Sequence, residues 1–244
     1  MLPNRRGNPN PRDLGPQLLI SVCGRLDFPV VRIYSLSILL LCCLAHAQPP
    51  EKADGYGRPA LLETAQLIDF ENLPADRRQL IEIAIAVAKE SPWLPYLFGG
   101  STPKDGGFDC SGAMHFVLTK AGLSPPRTSA DQYLWLKNKN RLTEAPLDLT
   151  DPNDPFMQKL RPGDLLFWGN TYLPTDDRTV NITHVAIYLG KEKSDGLAVM
   201  INATDGRSYR GKKANGYGVY DFRLPKPGSK AIFMGYGTPL GIAP

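Results

Sequence analysis

The interval at which apolar residues recur changes once along this chain, and the change constrains the fold. Between residues 75 and 137 the interval is three or four, which is typical of helices with one buried face. From residue 164 onward it falls to two, which is typical of strands. Helices followed by strands, without strand–helix–strand alternation, predict an α+β fold in which N-terminal helices pack on an antiparallel β-sheet.

Capping and turn residues place the expected elements along the chain. We expect helices to start at Ala75, Cys110 and Ser129, and strands to cover residues 164–168, 184–189, 198–203, 219–222 and 231–236. The stretch between the third helix and the first strand, residues 138–158, is rich in Pro, Asp and Asn. That composition predicts an inserted loop.

The N-terminal region carries the pattern of an export signal. Arg25 and Arg32 precede an apolar run at residues 33–44, which ends in the small-x-small sequence Ala45–His46–Ala47. We therefore predict a signal peptide at residues 1–47 and a secreted or periplasmic location. The stretch before Arg25 is long and polar for a signal, so an over-extended N-terminus is one alternative and an uncleaved anchor is another.

Cleavage after Ala47 would remove most of the chain's excess positive charge. Residues 1–47 hold five arginines and two aspartates, so the mature chain is close to neutral. No basic patch remains to favour nucleic acid or an anionic membrane surface. We also expect no stable membrane insertion after processing. We expect a monomer with an N-terminal extension at residues 48–74 and one globular domain at residues 75–244.

Cys110 is the strongest candidate for chemistry. The chain has four cysteines, and Cys23, Cys42 and Cys43 all precede the predicted cleavage site. A single thiol in an exported protein forms no internal disulfide, so it is either a small buried residue or a nucleophile. Its predicted place in the first turn of a helix favours a nucleophile, because the positive end of the helix dipole is expected to lower the thiol pKa.

A thiol nucleophile needs a nearby imidazole, and the chain has three histidines. His46 is removed with the signal. His115 lies five residues after Cys110, about 140° around the same helix, so it cannot face the thiol. His184, at the start of a predicted strand, is therefore the candidate general base and acid.

A third residue should orient the imidazole by accepting its other N–H. Asn202 is the candidate, because the hairpin that follows His184 carries it back toward that ring. Nearby alternatives are Thr183, Thr204 and Asp205. One cysteine and two histidines at unrelated positions make a poor metal site, so we expect neither a metal nor a cofactor.

Five sequence blocks around these residues resemble the NlpC-type family of bacterial cell-wall cysteine peptidases, from about residue 78 to 236. In order, the blocks are Tyr96–Leu97–Phe98–Gly99–Gly100, Phe108–Asp109–Cys110–Ser111–Gly112, residues 126–132, residues 160–167 and residues 183–190. The resemblance implies a papain-like α+β domain. It also implies hydrolysis of peptide bonds in peptidoglycan stem peptides, usually next to a D-γ-glutamyl residue.

By matching positions, the resemblance makes Cys110 the nucleophile, His184 the general base and Asn202 the third member. Tyr96 and the Cys110 backbone N–H are candidates for holding the oxyanion. Asp109 and Ser111 are candidates for holding a free substrate amine, with a helix cap as the alternative for Asp109. The insertions at residues 138–158 and 170–181 are expected to line or restrict the cleft.

Two other functions remain open from the sequence. The same Cys–His chemistry serves an amidase or an acyltransferase that acts on a different bond. The other alternative is that the domain is a non-catalytic module that only binds the cell wall. The intact Cys110 and His184 pair favours an enzyme over this last function.

Overall fold

The computed structural model describes residues 56–90 and 93–244, so the predicted signal peptide and residues 48–55 lie outside the described part. Within that part, three α-helices precede the main sheet. They are α1 (Ala75–Glu90), α2 (Cys110–Lys120) and α3 (Ser129–Lys137). The expected helix starts are confirmed. No helix among the described residues is long and apolar enough to cross a bilayer.

Side-chain caps fix where α2 and α3 begin. The Asp109 carboxylate accepts from the backbone N–H of Gly112 at 2.6 Å, and the Thr128 hydroxyl accepts from that of Asp131 at 3.1 Å. These bonds satisfy backbone donors that have no partner within the first turn of a helix. The cap at Asp109 therefore places the next residue, Cys110, at the start of α2.

The described residues form ten strands. They are β1 (Ser101–Thr102), β2 (Gly107–Phe108), β3 (Leu142–Glu144), β4 (Leu165–Gly169), β5 (His184–Lys191), β6 (Ala198–Thr204), β7 (Ser208–Tyr209), β8 (Lys212–Lys213), β9 (Gly216–Asp221) and β10 (Ile232–Gly237). Six of them make one antiparallel sheet in the order β3-β10-β4-β5-β6-β9. The predicted α+β fold with helices preceding an antiparallel sheet is confirmed.

The two faces of the sheet bury different sets of side chains. The helices pack on the face that carries Val185, Ile187 and Ile201. The opposite face carries Trp168 and Met200, and residues of the 138–158 segment such as Phe156 cover it. That segment was expected to be a loop, but it contains β3 and a 3₁₀-helix at Pro155–Lys159. Elements this short carry too few residues to show a period in the sequence.

Residues 56–74, within the predicted extension, lie along the sheet. Ala60 pairs with Val219 of β9 in an antiparallel bridge, and Leu67 pairs with Glu192 beyond the end of β5. The side chains of Leu67 and Phe70 are buried in the same core as α1. This part of the extension therefore contributes to the domain's core.

A buried arginine joins α1 to the sheet. Arg77 is inaccessible to solvent and pairs with Asp164, just before β4, at 3.0 Å. Its guanidinium also donates to the Thr238 hydroxyl and to the carbonyl oxygens of Pro162 and Ala243. A buried charge with this many partners fixes the position of α1, the helix next to α2.

Candidate active site

The Cys110 thiol lies at the start of α2 and faces the beginning of β5. Its Sγ is 3.9 Å from the carbonyl oxygen of Thr183, and the backbone N–H of Val185 also contacts it. These two residues flank His184 on the strand. The helix thus brings the only cysteine of the described part, which is 6% exposed, to the first residue of β5. Both residues lie in the described part of the chain, and in this conformation no hydrogen bond joins the Cys110 thiol to the His184 ring.

His184 is held on two sides. Its ring packs on Trp168, the paired residue of β4, with 5.5 Å between ring centroids. Its Nε2 lies 2.6 Å from the side-chain nitrogen of Asn202, which is on β6 and fully buried. The structure therefore places Asn202 against the His184 ring, and Cys110 against the two residues that flank His184. Thr204 and Asp205 follow Asn202 at the end of β6, but it is Asn202 that contacts the ring.

The orientation of the Asn202 amide decides which imidazole nitrogen is free. With Nδ2 toward the ring, Asn202 Oδ1 is buried without a partner, which costs about 1–3 kcal/mol. Exchanging the two amide atoms would leave Nδ2 at that partnerless position instead, so the cost alone does not choose between the two orientations. The orientation in which His184 can act as a base toward the thiol has Oδ1 accepting from the Nε2–H of His184. Nδ1 then carries a lone pair and is available to the thiol.

Burial controls the ionisation of both groups. It raises the pKa of the Cys110 thiol to about 11, with a smaller contribution from the Asp109 charge, while the backbone N–H groups of Val185 and Ser111 act in the opposite direction. It also holds the His184 pKa well below 6.5, helped by the positive charge of Arg207. The expected lowering of the thiol pKa is therefore wrong for this conformation. The thiol and the imidazole rest as a neutral pair at neutral pH.

Tyr96 is close enough to Cys110 for the charge of that residue to act on its phenol. Its backbone N–H donates to the side-chain oxygen of Asn215 at 2.9 Å, and the residue forms a parallel bridge with Phe108. Burial, together with the charges of Cys110 and Asp109, raises the Tyr96 pKa. The phenol therefore stays protonated and remains a hydrogen-bond donor near Sγ. The backbone N–H of Cys110 is a second donor at this point, because the first turn of a helix offers it no acceptor.

The Asp109 carboxylate is already occupied by donors of the protein. Both of its oxygens bind the guanidinium of Arg127, at 3.1 and 2.7 Å. It also accepts from the Ser111 hydroxyl and from the backbone N–H groups of Gly99 and Gly112. The Ser111 hydroxyl in turn accepts from Arg127 at 3.0 Å. This network favours the helix-cap role of Asp109 over a contact of Asp109 and Ser111 with a substrate amine.

Arg127 lies in the third block of the family resemblance, residues 126–132, and had no predicted role. Besides Asp109 and Ser111, its guanidinium donates to the carbonyl oxygens of Gly99 and Gly100. It thus joins the loop that follows Tyr96 to the N-terminus of α2. The only signal in the sequence was the position of Arg127 directly before the N-cap residue Thr128.

A cleft of about 500 Å³ opens beside His184. It is lined by Tyr96 and Phe98, by Thr171 and Tyr172, and by residues 204–207. The rings of Phe98 and Tyr172 meet edge to face with centroids 6.3 Å apart. The 170–181 insertion therefore lines the cleft as predicted. The 138–158 insertion contributes no lining residue to this cleft, and its apolar side chains pack elsewhere on the sheet face that carries Trp168.

Two further points concern His115 and a possible metal site. His115 is half-buried in the middle of α2, as the helical geometry predicts. In residues 56–90 and 93–244, no three side chains of His, Cys, Asp or Glu are grouped to hold a metal ion.

Comparisons with known proteins point to one family. The NlpC/P60 family profile matches residues 93–217. The chain is 34% identical over 137 residues to the probable endopeptidase p60 of Listeria monocytogenes, a match that covers 56% of this chain and 22% of that protein. It is 36% identical over 98 residues to the gamma-DL-glutamyl hydrolase of Bacillus subtilis, covering 40% and 18%. The chain thus spans about a fifth of the length of these relatives.

The peptidoglycan hydrolase RipB from Mycobacterium tuberculosis is 25% identical to this chain, and the match covers 69% of each chain with a TM-score of 0.39.

Proposed function

This chain belongs to the NlpC/P60 family, and we propose that it is an exported cysteine peptidase of the bacterial cell wall. It hydrolyses peptide bonds in peptidoglycan stem peptides next to a D-γ-glutamyl residue. The names of the similar proteins, an endopeptidase and a gamma-DL-glutamyl hydrolase, support this substrate class. The observation that carries the proposal is the contact of the Cys110 thiol with the strand start that bears His184, whose ring is bound to Asn202.

The reaction begins from the neutral pair. The thiol turns from the Thr183 carbonyl toward Nδ1 of His184, which takes its proton as Sγ forms a bond with the carbonyl carbon of the substrate. The negative charge then forms on the carbonyl oxygen, where the Tyr96 hydroxyl and the Cys110 backbone N–H donate to it. Asn202 holds the ring so that Nδ1 stays directed at sulfur.

The intermediate collapses when the carbon–nitrogen bond breaks. The leaving amine takes the proton from His184, and a thioester remains on Cys110. Water then gives a proton to His184 and its oxygen to the acyl carbon. The Cys110 sulfur leaves as a thiolate and recovers the proton from the imidazolium. One water is consumed, and the products are a carboxylic acid and an amine.

Mass analysis of digested muropeptides tests this function. We expect wild-type protein to give one product that retains the sugar and the glutamyl residue, and a second that begins with the third residue of the stem. Cys110→Ser should release neither product, whereas the matched control His115→Ala should release both. Intact muropeptides after digestion with wild-type protein would contradict the proposal.

The same digest separates the alternative reactions. An amidase frees the whole stem from the sugar, and an acyltransferase joins the acyl group to a second amine instead of water. Either set of masses would replace the endopeptidase assignment while keeping the Cys–His chemistry. Binding of muropeptides without any new mass would favour the non-catalytic module.

A further inference from the structure

Arg207 lines the cleft beside His184, and the proposed mechanism does not use it. It follows the turn at the end of β6 and faces the same space as Tyr96 and Thr183. The positive charge of its guanidinium influences the ionisation of His184. The electrostatic field of Cys110 acts on the guanidinium in return. Arg207 is therefore close to both reacting groups.

The guanidinium of Arg207 has no polar partner in the described part of the chain. By contrast, Arg77, Arg127, Arg178 and Arg210 each donate to two or more oxygen atoms. The neighbouring Asp205 is exposed and forms no ion pair with Arg207 among the described residues. A partly buried cation without an acceptor loses hydration that nothing in the protein replaces.

Stacking nevertheless holds the guanidinium in place. Its central carbon lies 4.3 Å from the centroid of the Trp168 ring, and that ring also packs on His184. Burial lowers the Arg207 pKa only to about 10, so the side chain remains a cation at neutral pH. The Arg207 guanidinium is therefore a positive charge that is held in place by an aromatic ring and faces a cleft, so it can bind an anion. Its planar pair of N–H donors matches the two oxygens of a carboxylate.

We propose that Arg207 binds a carboxylate of the stem peptide and so determines which stems the cleft accepts. This inference rests on the proposed function. Two carboxylates lie near the bond to be cut. One is the α-carboxylate of the glutamyl residue, which is free because the chain continues through the γ-carbonyl. The other is the side-chain carboxylate of a diamino acid on the leaving side. Both present the same chemistry to a guanidinium.

Binding the carboxylate also assists the reaction. The Arg207 charge opposes protonation of His184 while the cleft is empty. A bound carboxylate neutralises that charge, so the imidazole accepts the thiol proton more readily when the correct stem is present. The gain is expected in kcat as well as in KM, which links stem recognition to activation of the nucleophile.

The test compares three synthetic stems with wild-type protein and Arg207→Gln. The first stem is L-Ala-γ-D-Glu-diaminopimelate. The second carries an amide in place of the glutamyl α-carboxylate, and the third carries lysine in place of diaminopimelate. We expect wild-type kcat/KM to fall about 10- to 100-fold for whichever change removes the bound carboxylate. Arg207→Gln should lose a similar factor on the first stem and little on the stem that lacks that carboxylate.

Control variants separate recognition from general damage. Arg223→Gln removes an equal charge from an exposed arginine outside this cleft, and it should cut all three stems at wild-type rates. Arg207→Lys keeps the charge but not the planar pair of donors, so it should recover only part of the loss. The circular dichroism spectrum of Arg207→Gln should match that of wild-type protein, which shows that the variant is still folded.

Two results would overturn the inference while leaving the proposed function intact. One is equal kcat/KM of wild-type protein on all three stems. The other is an equal loss for Arg207→Gln on all three, which would show that Arg207 acts only on the reacting groups. Failure of wild-type protein to cut any stem would instead contradict the proposed function.

Discussion

Removal of Arg127 should destabilise the domain more than removal of any exposed arginine. Its guanidinium makes five hydrogen bonds, to both oxygens of Asp109, to the Ser111 hydroxyl and to the carbonyls of Gly99 and Gly100. Arg127→Ala leaves all of these acceptors without this donor. The two bonds to the carboxylate are worth about 1.5 kcal/mol each at the low end of the charged range, since the arginine side chain is 35% exposed.

The remaining three bonds go to uncharged acceptors, and we take about 0.5 kcal/mol for each because the guanidinium is partly exposed to water. The expected loss in the free energy of unfolding is therefore about 4.5 kcal/mol. For a domain of this size, that loss lowers Tm by about 10 °C. Arg127→Lys keeps one charged contact but cannot bridge the two loops, so we expect about half the effect.

Urea and thermal unfolding followed by circular dichroism measure this change. The matched control is Arg223→Ala. Arg223 is 65% exposed, and its partner Asp221 keeps a second ion pair with Arg210, so the expected change is below about 0.5 kcal/mol. A loss of less than about 1 kcal/mol for Arg127→Ala would refute the view that this arginine fixes the N-terminus of α2.

Four further outcomes concern the reaction. His184→Ala should lower turnover on the order of 10⁴-fold while His115→Ala stays near wild type, and the reverse in a muropeptide assay would overturn the assignment of the base. Asn202→Ala should slow kcat less than Cys110→Ser does, and Asn202→His should restore part of it; an unchanged kcat in Asn202→Ala would exclude an orienting role. Tyr96→Phe should lower kcat about 10-fold or more with little change in KM, which steady-state kinetics can separate. Alkylation of Cys110 by iodoacetamide should accelerate close to tenfold per pH unit from about pH 7 to 10, because a thiol with a pKa of about 11 gains thiolate throughout that range; a plateau below about pH 8 would mean a resting ion pair.

The sequence predicts features that depend on neighbouring residues. The period of apolar residues marks α1 and the longer strands, and the cap at Asp109 places Cys110 at a helix start. The short turn after β5 returns the chain beside it, which brings Asn202 near His184. These features follow from local geometry, so the sequence suffices to predict them.

Other features of the site depend on residues far apart in the chain. Arg127 binds an acidic residue 18 positions away, and nothing in its own surroundings predicts that pair. Arg207 enters the cleft only because β6 ends beside Trp168, which comes from another strand. The raised pKa of the Cys110 thiol likewise depends on how completely the folded chain removes water from it. Burial is a property of the whole fold, so the shift expected from the helix start alone, a lowered thiol pKa, has the opposite direction.

The backbone contacts of residues 57–60 affect how copies of this protein meet one another. The amide of Val219 on the outer strand of the sheet donates to Ala60, and the amide of Asn215 donates to Gly57. Pro59 lies so close to Gly218 that a β-carbon there would be 2.4 Å from it, and proline offers no amide to a further strand. A chain begun at residue 75, the predicted domain boundary, would expose this row of amides and carbonyls. Unpaired outer strands recruit other chains, so the extension protects the protein from self-association as well as completing its core.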